Sequence, residues 1–108
     1  MERVEISPGP DMSFEIAEQD AETVVMINGE VDISNVALLD SAMAPLLERG
    51  TPRLIVDISG LEFADSSAIA VWVRWSRAAG ELKLRGAQPL LVRVIETMGL
   101  SATLPIER

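Results

Sequence analysis

The sequence predicts an α/β fold, one mixed, mostly parallel sheet of four to five strands with helices packed on it. The element order is β-β-α-β-α-β-α, with room for a last β. Three observations predict it. Apolar residues alternate or run unbroken over short β-branched stretches, as in "TVVMINGEVD" and "PRLIVDIS". Between those stretches the apolar period lengthens to three and four residues. Strand, helix and strand then follow at the spacing of a crossover into a parallel sheet.

Taken in order, residues 1–12 hold two prolines, a glycine and mixed charges, and read as a flexible N-terminal arm before a single domain over 13–108. "SFEIAEQ" alternates, with Phe14 and Ile16 on one face and Glu15 on the other, as a half-buried strand does. Asp20-Ala21-Glu22 offers a hairpin turn into "TVVMINGEVD", whose near-continuous apolar character predicts a strand covered on both faces. Val36, Leu39, Met43 and Leu47 mark a helix that Asp32 or Ser34 can cap and that Gly50 can end. Pro45 inside it removes a backbone donor and predicts a kink or an early stop. "PRLIVDIS" is the clearest strand, and "GLEFA" leads from it into a helix from Ser66 to Ala79, closed by Gly80. "ELKLRG" alternates as a further strand. Pro89 opens a last helix through Met98, with Leu91, Val92 and Ile95 inward and Gly99 at its end. "ATLPIE" offers a short edge strand, where Pro105 is tolerated.

Composition narrows the chemistry. The 108 residues contain no cysteine and no histidine, so zinc, copper and haem sites lose their usual ligands. Ser-His-Asp and Cys-His catalysis lose theirs as well. No GxxxxGK[ST] or GxGxxG cradle for phosphate is present. A formal net charge of −8 with scattered basic residues repels nucleic acid and anionic membranes. No apolar run reaches membrane-spanning length and no signal peptide opens the chain, which points to a cytoplasmic protein without a resident cofactor or metal. None of this favours an enzyme.

One polar break in the apolar pattern carries the functional question: Asp65-Ser66-Ser67, in "LEFADSSAIAVWV". Helix capping needs only one of these three side chains. A hydroxyl at a helix N-terminus is also exposed, and a phosphate placed there meets unpaired amides and the positive end of the helix dipole. Nothing in the sequence could activate Ser66 as a nucleophile of its own. Trp72 reads as core. Trp75, between Arg74 and Ser76, reads as partly exposed. Glu15, Glu18, Asp20 and Glu22 read as a solvated rim.

The segments "INGEVD", "LIVDISGLEFADSSAIAVWV" and "LKLRGAQPLLVRVIETMGL" together resemble the STAS domain, and within it the bacterial anti-sigma factor antagonists, over roughly residues 13–106. The resemblance implies that Ser66, directly after the motif aspartate, is phosphorylated. It also implies a docking surface drawn from Gly29, Glu30, Asp32, Asp65, Ser66, Ser67 and Ala68. The implied partners are an anti-sigma factor that is also a serine-protein kinase and a phosphatase that restores the free serine. Neither ATP nor magnesium would belong to this chain. The family's usual glycine after the serines is Ala68 here, and its methyl group is expected to crowd a partner. Two alternatives follow from the same resemblance: a STAS subunit bracing the ATPase of a lipid-transport complex, and a stressosome-like scaffold component. Homodimerisation stays open.

Overall fold

The computed structural model describes residues 2–6 and 11–107, with side chains over 11–107. Five strands form one sheet in the order β1-β2-β3-β4-β5: β1 Glu2–Ile6, β2 Met12–Gln19, β3 Glu22–Val31, β4 Arg53–Ala64 and β5 Glu81–Arg85. The first two pairings are antiparallel and the last two parallel. Helix α1 (Val36–Arg49) joins β3 to β4, and α2 (Ser66–Ala78) joins β4 to β5. Helix α3 (Pro89–Thr97) follows β5.

Right-handed crossovers stepping in one direction put α1 and α2 on the same face of the sheet. The core lies between. Phe14, Ile16, Val25, Ile27, Leu54 and Val56 supply its sheet side; Leu39, Met43, Ile69, Trp72 and Ile95 supply its helical side. The opposite face is not covered in the same way. Val24 and Met26 are half-buried there, Val24 between the buried Ala17 and Ile55, so β3 is packed fully on one face and only in part on the other. Its apolar run reflects a central strand whose outer neighbours are also apolar.

Four further expectations change. The arm read over residues 1–12 contains β1, paired from Glu2↔Glu18 to Ile6↔Phe14, and Met12 already belongs to β2. Strand β4 does not stop at Ser59 but continues through Gly60 to Ala64, accommodated by register shifts against β3 at Met26/Asn28 and Gly29/Glu30. Helix α1 runs through Pro45 to Arg49; the proline is exposed, and only one intrahelical bond is forfeited. The proposed last strand is a single parallel bridge, Leu84↔Ile106. No helix among the described residues is long and apolar enough to cross a membrane.

Candidate functional site

The carboxyl ends of the parallel strands gather the predicted residues. Register pairs Glu30 with Phe63 and Val31 with Ala64, so the loop after β3 lies beside the entry to α2. Asp65 is the N-cap of α2, in extended conformation, and its Oδ1 accepts the Ser67 amide at 2.9 Å. The same oxygen accepts the Ser67 hydroxyl. The other oxygen, Oδ2, accepts the Ile33 amide at 3.3 Å, while the Asp65 amide donates to the Val31 carbonyl at 3.2 Å. One side chain therefore caps a helix and ties two loops together.

These donors hold the Asp65 carboxyl below its ordinary value. The Ser67 hydroxyl contributes most, against a smaller desolvation penalty, and the amides of Ser67, Ile33 and Ala68 add to it. The two adjacent serines consequently differ. Ser67 is half-buried and its hydroxyl is engaged; Ser66 is exposed, and no described hydrogen bond holds its Oγ.

On the neighbouring loop, Asp32 Oδ1 accepts the Ser34 amide at 2.9 Å, and the Asp32 carbonyl accepts the Val36 amide. The residue at the start of α1 is Asn35, which neither composition nor period singled out. Its Oδ1 accepts the Asp32 amide at 3.0 Å and its Nδ2 donates to the Glu30 carbonyl at 2.9 Å, stapling the loop from inside. Asparagine at a helix entry was the available signal. Gly29 has a backbone reason to be glycine. Its φ is +90°, and a Cβ there would lie 2.1 Å from the Asp11 carbonyl oxygen, which accepts the Glu30 amide at 2.7 Å.

Glu30 is exposed and Asp32 half-exposed, so both face the surface near Ser66. Ala68 does not join them. It is fully buried in the core, and its methyl group points where no docking protein could be crowded by it. Trp75 is likewise buried, at 1% exposure, rather than partly exposed; its indole N–H donates to Asp40 Oδ1 at 2.8 Å. Asp57 sits within β4, where its Oδ1 accepts the amide and hydroxyl of Ser59. Among the described residues no group of three or more acidic side chains is placed to hold a metal.

Comparison with known proteins agrees with this architecture. The chain matches a family model described as "Mlab, STAS domain" over residues 14–106. The anti-sigma-B factor antagonist of Staphylococcus aureus (strain NCTC 8325 / PS 47) is 26% identical over 94 residues, covering 83% of this chain and 87% of that protein. An anti-sigma factor antagonist from Mycobacterium paratuberculosis superposes with a TM-score of 0.80, over 94% of this chain and 89% of that one, at 23% identity. The Bacillus cell fate determinant SpoIIAA in its phosphorylated form superposes at 0.71, over 88% and 91%, at 20% identity. At such identities the solved structures speak for the fold.

Proposed function

Because the chain belongs to the STAS domain family, we propose that it is an anti-sigma factor antagonist, a protein-binding switch set by phosphorylation of Ser66. The unmodified chain captures an anti-sigma factor that is also a serine kinase and so frees a sigma factor. The observation that carries this reading is the difference between two neighbouring hydroxyls. Ser67 donates to Asp65, whereas Ser66 is exposed and unheld at the N-terminus of a 13-residue helix.

The chemistry requires little of this chain. Ser66 Oγ attacks the γ-phosphorus of ATP bound by the kinase, the new O–P bond replaces the bond to ADP, and a base of the kinase takes the hydroxyl proton. The phosphoryl group adds about −1.5 to −2 charges beside Asp65. The amides it could engage are partly taken by that carboxylate, so the phosphate projects outward and blocks a surface fitted to the neutral serine. A phosphatase hydrolyses the ester and resets the switch. The chain binds and is modified in the cytoplasm, without a catalytic role. That the chain is similar to an anti-sigma-B factor antagonist supports this reading.

The test uses wild type, Ser66→Ala and Ser66→Asp with a serine kinase of the anti-sigma factor type from the same genome. Wild type and Ser66→Ala are expected to capture the kinase and Ser66→Asp to fail, with phosphate mapped to Ser66 by mass spectrometry. Phosphate on Ser67 alone, or capture indifferent to all three, would sink the switch.

A second reading keeps the surface and changes the client, to the ATPase of a lipid-transport complex that the domain braces. The family description, which names Mlab and no antagonist, favours it. Capture of such an ATPase, unaffected by Ser66→Asp, is its expected signature.

A further inference from the structure

Beside Ser66 runs a groove of about 260 Å³, between the end of β4 with the first turn of α2 on one side and α3 on the other. Its walls include four large apolar side chains left in solvent: Phe63 at 51% exposure, Leu90 at 75%, Val94 at 39% and Met98 at 51%. The last three recur every fourth residue, a stripe about 12 Å long on the outer side of α3. Such a stripe is what a helix presents to another helix. Only Ile95 of α3 is fully buried, so the helix faces the core with one side and leaves this second apolar side unmatched.

Size and charge select the occupant. Drug-sized ligands are enclosed by roughly 300–1,000 Å³, so this groove is too small and too open to enclose one. It suits a few side chains projecting from one face of a helix. The charged residues in its lining are Glu62 and Asp65, with no lysine or arginine among them. Asp65 is engaged by amides and a hydroxyl. Glu62 is exposed, and no described hydrogen bond or ion pair engages its carboxylate. A second copy of this chain would bring another net charge of −8 and a second pair of carboxylates to the seam, which like-charge repulsion opposes.

We propose that this groove docks an amphipathic helix of a partner protein, apolar on the face that enters between Phe63 and the Leu90–Val94–Met98 stripe and basic along the edge that meets Glu62. Docking here does not require Ser66 to be modified. A phosphate on Ser66, which lines the groove, adds charge of the sign that the basic edge prefers. The groove therefore retains its helix in the state that releases the kinase, and would let one partner stay while another leaves.

The test uses synthetic helical peptides of about three turns with identical leucine stripes and either lysine/arginine or glutamate flanks, titrated against the full chain by fluorescence anisotropy. The cationic peptide is expected to bind and the anionic one to bind at least about tenfold more weakly, with the gap closing in high salt. Leu90→Ser, at a mostly exposed position, should weaken the cationic peptide by roughly tenfold at unchanged thermal stability. Glu62→Lys should reverse the preference between the two peptides. Ser66→Asp should keep or tighten the cationic peptide, although the proposed switch has it losing the kinase. Wild type failing to capture the kinase while the peptide results hold would therefore defeat the switch and leave the groove standing. Equal binding of the two peptides, indifference to Leu90→Ser or Glu62→Lys, loss of the peptide on Ser66→Asp, or a homodimer that Leu90→Ser dissolves would each overturn the groove proposal.

Discussion

A methyl group on Gly29 has no space: it would meet the Asp11 carbonyl at 2.1 Å, at a φ of +90° that L side chains rarely adopt. Gly29→Ala is therefore expected to lose roughly 2 kcal/mol or more, from strain and from the displaced Asp11–Glu30 hydrogen bond. Urea denaturation measures it, and a midpoint unchanged from wild type contradicts the assignment. Family resemblance put Gly29 on the docking surface. Its physical task is to let β2 close on β3 so that Glu30 and Asp32 emerge at the right place. The polar trio at the start of α2 was legible as a cap from residue types alone. Which serine stays free was not, because that depends on Asp65 reaching the Ser67 hydroxyl and, across the chain, the Ile33 amide.

Between elements, α1 and α2 are joined by one carboxylate. Asp40 accepts the buried Trp75 indole N–H at 2.8 Å and also pairs with Arg74 at 2.6 Å. The arginine is 58% exposed and the pair itself is worth little. The indole is different, since removing its acceptor leaves a buried donor unmet. Asp40→Ala should cost about 1–3 kcal/mol and Arg74→Ala much less, by thermal or chemical denaturation; equal losses would show that the ion pair dominates. No periodic pattern reveals this contact, which spans 35 residues of sequence. The helices themselves were legible, since Val36, Leu39 and Met43 fall on the buried face as their spacing predicts. Strand ends were not. The strand read as ending at Ser59, yet β4 continues past it because β3 shifts register alongside. Strand β1 was hidden because prolines at 8 and 10 give its neighbourhood the composition of an arm.

At the scale of the whole molecule, two carboxylates tie stability to pH. Asp65 is held low chiefly by the Ser67 hydroxyl, and Glu107 chiefly by its hydrogen bond with Arg85 at 2.7 Å. A carboxyl whose native pKa lies below its unfolded value contributes stability above the unfolded value. That contribution is lost as pH falls through the native one. Stability should therefore fall below about pH 4. Between neutrality and that point, relief of the −8 self-repulsion acts in the opposite sense. Asp65→Asn, which still caps a helix but does not titrate there, should make the acid limb shallower. An acid limb as steep as wild type, in denaturation midpoints taken across pH, would remove Asp65 from the linkage. Strand β1 has a practical consequence for such measurements. With Glu2 paired to Glu18, the leading edge of the sheet lies next to the Asp20 turn, at the end remote from Ser66. A biosensor tether attached ahead of Glu2 would thus leave the rim around Ser66 and the groove facing the solution, so that immobilised protein and free protein offer an incoming partner the same approach.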